Sequence, residues 1–164
     1  MTPIELINAI KTEIETAVKD YSLAAEGQGN KPITVYAQHI PDECFESDTY
    51  YPLVVAAINK IEDADDSSYP ALSKITVGLT FGVYGEDEKA WVDLLNVMER
   101  TRQRLMDKRL LVNRYQLQFP VKWETIEAQP YPFWFGYGTL EYSTPRPIQT
   151  RVANIEGGRL NGRN

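Results

Sequence analysis

Between residues 75 and 83 the chain alternates without a break. Ile75, Val77, Leu79, Phe81 and Val83 fall on one side, and Thr76, Gly78, Thr80 and Gly82 on the other. Successive side chains of an extended strand point to opposite faces, so this segment predicts a strand with one buried face. Residues 115–123 repeat the pattern, with Tyr115, Leu117, Phe119, Val121 and Trp123 against Gln116, Gln118, Pro120 and Lys122. Pro120 cannot donate to a ladder, which predicts an edge position or a bulge. Half-buried strands of this kind need a covering layer of helices or a second sheet.

Two segments supply helices. Thr2, Pro3 and Glu5 make a start signal, with a capping residue, a proline at the first helical position and a capping-box partner. Ile7, Ile10, Ile14, Val18 and Tyr21 then recur at helical spacing, predicting a helix over about 3–22. Lys11, Glu13, Glu15 and Lys19 fall on its wet side, and Glu26-Gly-Gln-Gly-Asn30 predicts a flexible turn after it. A second helix is predicted over about 87–109, with Trp91, Leu94, Leu95, Met98 and Leu105 on one face. Glu86, Asp87, Glu88 and Asp93 crowd its start, and Arg100, Arg102, Arg104, Lys108 and Arg109 its end, which complements the helix macrodipole. That basic end is either a solvated face or a patch facing a partner or DNA.

Residues 33–40 alternate two faces, and the more continuously apolar stretch 52–61 suits a central strand covered on both sides. Tyr131, Phe133, Trp134, Phe135 and Tyr137 crowd a final strand running to about Tyr142. Aromatics on both faces of one strand imply a covering helix or a protein partner. The isomer of the Tyr131–Pro132 bond is open from sequence. The order is α-β-β-β-α-β-β: an α+β domain, with a mainly antiparallel or mixed sheet and two helices on one face. The expected division is one domain over 1–142 and an extended basic arm over 143–164.

That division is electrostatic as well. The formal charge is −6, but residues 143–164 hold Arg146, Arg151, Arg159 and Arg163 against Glu156 alone. The arm is thus +3 and the body −9. An acidic body argues against general nucleic-acid binding, which needs a basic surface. No run approaches the ~18 apolar residues of a membrane span, and the N-terminal residues carry no secretory pattern.

Chemistry is poorly provided for. One cysteine, Cys44, and one histidine, His39, make neither a disulfide nor a Cys/His zinc cage within one chain. A nucleophilic triad would have to use His39, and no third-group signature accompanies it. No P-loop, dinucleotide fingerprint, HExxH helix or EF-hand loop is present. Glu62-Asp-Ala-Asp-Asp66 lacks the glycine and distal glutamate of a calcium loop and reads as a solvated loop between strands. No catalytic, cofactor or metal residue is assigned.

The stretches Thr76-Val-Gly-Leu-Thr-Phe-Gly-Val-Tyr-Gly85, Trp91-Val-Asp-Leu-Leu-Asn-Val-Met-Glu-Arg100, Phe119-Pro-Val-Lys-Trp-Glu124 and Gln129-Pro-Tyr-Pro-Phe-Trp-Phe-Gly136 together resemble the tail terminator, or tail-completion, proteins of long-tailed, siphovirus-type bacteriophages and prophages. The resemblance spans roughly 70–142; the N-terminal helix and first strands fit in order and length. It implies a structural, non-enzymatic protein at the neck end of the virion tail, assembled in the host cytoplasm. Such a protein forms a hexameric ring on the finished tail tube, stops polymerisation and presents the surface that joins the head. Its partners are copies of itself, the tail tube protein, the head–tail connector or neck protein, and genomic DNA passing through the lumen. Neck proteins of the same virions are the alternative, and a small enzyme using His39 or the 62–66 carboxylates a more distant one.

A cyclic ring needs two different patches that meet around the circle. The edge strand 115–123 and the arm 143–164 suit strand addition to a neighbour. The expected contact residues are Pro120, Tyr131, Phe133, Trp134, Phe135, Arg102, Arg109, Arg146 and Arg151. Glu62, Asp63, Asp65 and Asp66 are candidates for an acidic lumen.

Overall fold

The computed structural model describes residues 2–25, 29–40, 50–63, 71–87 and 89–146. Helix α1 spans Pro3–Val18, and strands β1 (Ser22–Ala25), β2 (Gly29–Pro32), β3 (Thr34–Ala37), β4 (Leu53–Asp63) and β5 (Leu72–Tyr84) follow. Helix α2 spans Ala90–Asp107, then β6 (Leu110–Leu111), β7 (Tyr115–Thr125) and β8 (Phe133–Pro145) complete the chain order. Six strands form one sheet in the order β3-β4-β5-β8-β7-β6, with β3 parallel to β4 and the other pairs antiparallel. The architecture is the expected α+β, with a mixed sheet.

The alternation in β5 decides which face is covered. Ile75, Val77, Leu79, Phe81 and Val83 all enter one core cluster with Leu6, Ile7, Ile10, Ile14 and Val18 of α1 and Leu94, Val97, Met98 and Leu105 of α2. Both helices therefore pack on one side of the sheet. Ile10 and Ile14 are fully buried, so truncating either to alanine would cost ~2–5 kcal/mol. The helices also meet through a half-buried ion pair, Arg104 Nε donating to Glu13 Oε2 at 2.5 Å. Gly136 of β8 lies beneath the sulfur of Met98, where a Cβ would collide with it. That close approach seats α2 on the sheet.

Several local expectations need correction. Helix α1 ends at Val18, and Thr2 sits at its N-cap without a side-chain cap bond; its carbonyl accepts instead, from Glu5 N–H and from the Tyr115 hydroxyl. Of the stretch expected as a flexible turn, Gly29 and Asn30 belong to strand β2, which pairs antiparallel with β1, and residues 26–28 lie outside the described residues. On α2 the buried stripe is Ala90, Leu94, Val97, Met98, Thr101 and Leu105, which leaves Trp91 49% and Leu95 43% exposed. One residue is 100° of helix, so these two lie beside the buried face rather than on it.

Residues 33–40 form only a four-residue strand. Gln38 has a left-handed backbone (φ 71°) that ends β3, and its side chain continues the pairing instead. Its Nε2 donates to Ile58 O at 3.2 Å, and Ile58 N–H donates to its Oε1 at 3.0 Å. The final strand runs to Pro145, three residues past the expected boundary, so the folded body includes Ser143 and Thr144. Tyr51–Pro52, Phe119–Pro120 and Tyr131–Pro132 are cis.

Candidate subunit interface

Pro120 lies where it was expected to disturb the ladder. The β7–β8 register shifts between Gln118 and Lys122, so residues 119–121 form an irregularity. Two-residue β6 pairs only with Tyr115 and Gln116, and Leu117 N–H donates outward to Arg109 O at 2.7 Å. Beyond that point no described strand pairs with the outer edge of β7. Phe119 stands 55% exposed at the irregularity, with the Arg109 guanidinium 5.0 Å from its ring centroid. Arg109 and Pro120 are thus brought into one exposed patch at the edge.

A groove of about 470 Å³ lies between this edge and α2, lined by Leu95, Met98, Glu99, Arg102, Trp123, Glu124 and Thr125. Arg102 is held there by a forked pair with Glu99, at 2.8 and 3.0 Å. Those bonds, with one from Gln103, keep the Glu99 carboxyl below the usual carboxylate range. The basic end of α2 is therefore largely engaged within the chain. Arg102 pairs Glu99, Arg104 pairs Glu13, and Arg100 stacks on Tyr21 at 4.5 Å.

The aromatic segment divides between the two faces, as its crowding requires. Trp134 turns to the helix side and donates from Nε1 to Gly85 O at 3.0 Å. Phe133 and Phe135 turn to the other face, where a second cluster forms around Ile40, Tyr51, Leu53 and Val55. Their ring centroids lie 4.9 and 6.0 Å from that of Tyr51. Tyr131 is the most exposed member, at 64%, with its hydroxyl donating to Glu86 O at 3.3 Å. Near Tyr21, burial raises the Asp93 carboxyl while the Tyr21 hydroxyl that donates to it opposes the rise.

Aromatics and arm start lie at opposite ends of the sheet. Arg146 follows the Pro145 end of β8, and its N–H donates to Ala71 O at 3.0 Å. Glu62 and Asp63 end β4 at that same side, since Asp63 pairs with Ser73 and Ser73 with Thr144. Arg146 therefore leaves the sheet at the same end as two of the candidate lumen carboxylates, with β5 between them. Glu62 pairs with Lys60 at 2.5 Å, and Asp63 accepts from Ser73 Oγ. Arg151, Asp65, Asp66 and Cys44 lie outside the described residues.

A second open edge was not anticipated from sequence. β3 pairs with β4 only from Leu53 to Ala56, and Gln38 occupies the edge at Ile58. No described strand covers β4 from Asn59 to Asp63, and all five residues are exposed. The shortness of β3 is the cause, and it rests on the Gln38 backbone, which no periodicity encodes.

Among the described residues no group of three or more His, Cys, Asp or Glu side chains could hold a metal ion. His39 is exposed just past β3. No described helix is long and apolar enough to cross a membrane. No protein-family model and no curated protein matches the chain.

Proposed function

We propose that the chain is a structural ring subunit that terminates a phage tail. It caps the head-proximal end of the tail tube as a hexamer, stops tube growth and presents the surface to which the connector or neck protein binds. The observation that carries this reading is the sheet with an edge on each side that no described strand covers: β7 beyond Leu117 and β4 beyond Ile58. Two different edges on one subunit suit head-to-tail contact, which closes into a ring when the rotation allows. The resemblance of roughly residues 70–142 to tail terminators supplies the biological setting. DNA passes through the lumen without specific binding, and the −9 charge of residues 1–142 suits that passage by repulsion. Glu62, Asp63, Asp65 and Asp66 are the lumen candidates of that reading.

Deletion of the gene in the phage or prophage tests the reading. Overlong tails are expected. Tails of normal length that fail to join heads would instead indicate a neck protein. A His39→Ala protein that fully restores tail length would remove the His-based enzyme alternative.

A further inference from the structure

The two open edges match one another in sequence. Lys60 and Glu62 of β4 face away from the helices, because they pair with Thr76 and Lys74 on the uncovered side of β5. Lys122 and Glu124 of β7 face the same way, opposite Thr139 and Tyr137 of β8. Between each pair stands one apolar residue on the helix side: Ile61, 47% exposed, and Trp123, packed against the core rim. β4 and β7 run in opposite directions, since three antiparallel pairings separate them.

We propose that β7 of one copy pairs antiparallel with β4 of the next, with Ile61 opposite Trp123, so that the sheet runs continuously from subunit to subunit. This rests on the ring reading and names its contact. In that register Lys60 falls opposite Glu124, and Glu62 opposite Lys122. Every outward pair is then of opposite charge, and the inward pair is apolar. Directly opposed charges and aromatic–β-branched pairs are the units that stabilise antiparallel sheets. A slip of one residue would put the charges opposite apolar groups on the wrong faces. A slip of two in either direction brings like charges together: Glu62 meets Glu124, or Lys60 meets Lys122. The surface therefore selects one register.

The geometry also suits closure. Lys60 is level with Thr76 of β5, and Glu124, through Tyr137, is level with Thr80. Each join therefore steps four residues along the strands. An even step preserves the inside and outside faces, and a constant step round a closed sheet is the stagger that tilts its strands. Glu62 becomes a subunit contact rather than a lumen residue.

The contact is tested with the full chain by native mass spectrometry and by cross-linking. Lys122→Glu sets a glutamate opposite Glu62 and is expected to weaken assembly at least ~tenfold, since like charges across an interface repel strongly. Circular dichroism should show that its fold is unchanged. Glu62→Lys combined with Lys122→Glu restores the pair with signs exchanged, and assembly should return. In a Cys44→Ser background, Lys60→Cys with Glu124→Cys should give a ladder of disulfide-linked multimers. Within one chain these sites are three strand spacings and four residues apart, more than ~14 Å, too far to bridge. A wild-type protein that stays monomeric, a Lys122→Glu protein that assembles like wild type, or absence of the ladder overturns the proposal. The two readings separate cleanly. Intact assembly of Lys122→Glu with normal tail termination removes this contact and keeps the terminator. A ladder with tail length unaffected by gene deletion keeps the contact and removes the terminator.

Discussion

The ring of Tyr51 occupies the space over Gly82: a Cβ at residue 82 would stand 2.6 Å from Tyr51 Cε1 and 3.2 Å from Leu53 Cδ1. Tyr51 is fully buried and is the shared neighbour of Phe133 and Phe135. The glycine on the uncovered side of β5 is therefore what lets the second aromatic cluster lie down on the sheet. Gly82→Ala is expected to lower stability by ~1–3 kcal/mol, the cost of overfilling a packed site. Thermal unfolding measures it. An unchanged melting temperature would mean that the Tyr51 ring moves aside freely.

Near the other end of β8, Gln129 stands in for β7 where that strand's pairing stops at Thr125. Its Oε1 accepts from Phe135 N–H at 2.7 Å, while Nε2 donates to Phe135 O at 2.9 Å and Ile126 O at 3.1 Å. Gln129→Ala strands three backbone groups in a half-buried setting and should cost ~1–3 kcal/mol. Gln129→Glu keeps the acceptor but turns carboxylate oxygens toward two carbonyls, so it should not rescue. Urea unfolding of both variants checks this, and a neutral Gln129→Glu would show that only the Phe135 N–H bond matters.

Strands β5, β7 and β8 were legible because each has a strict two-residue period or a dense aromatic run. The irregularity at Pro120 was legible because a proline removes a donor whatever its surroundings. Other features had no periodic signature. Four-residue β1 and β2 are too short to show alternation, and two-residue β6 shorter still. Trp91 and Leu95 were misplaced because a large apolar residue on a helix says nothing about which neighbour covers it. The β4 edge was invisible because it depends on Gln38, whose side chain replaces a strand from twenty residues away in sequence. Its partner edge was half legible, through Pro120, and the match of Lys60 and Glu62 to Glu124 and Lys122 emerges only once faces and directions are known.

Tyr142 is fully buried, and its hydroxyl has no hydrogen-bond partner among the described residues. Burial first, and then the negative charge of Glu13, push that hydroxyl well above the ordinary tyrosine range. Below about pH 10 folded and unfolded chains both hold the proton, and this group leaves stability untouched. Above it the unfolded chain releases the proton that the folded chain keeps, so stability falls as pH rises, by up to ~1.4 kcal/mol per pH unit. Burial raises Tyr21 and Tyr115 in the same direction. Tyr142→Phe should therefore be neutral or stabilising by up to ~1 kcal/mol at pH 7, and should flatten the alkaline decline. Guanidinium unfolding at a series of pH values reads both effects. A loss of stability at neutral pH would mean that the hydroxyl is satisfied after all.

The last residues of β8 are tied into the sheet by side chains as well as by the ladder. Ser143 and Thr144 are buried and pair with Lys74 and Ser73, Arg114 Nε donates to Thr144 Oγ1 at 3.0 Å, and Gln118 Nε2 donates to Ser143 Oγ at 2.8 Å. A stop after Tyr142 removes all of these and should destabilise the body by several times the ~1 kcal/mol of one hydrogen bond. A stop after Arg146 keeps them and should leave the melting curve where it is. The shorter cut cannot report on assembly, because it damages the sheet that assembles; the longer one can. Residues 147–164 carry three arginines against one glutamate, and on an acidic neighbour they would favour encounter more than final affinity. Truncation after Arg146 is therefore expected to slow ring formation and make it less sensitive to salt, with the β4–β7 contact still formed. Stopped-flow light scattering at two salt concentrations measures both. Identical rates with and without the arm would remove it from assembly and leave the two strand edges to do the joining alone.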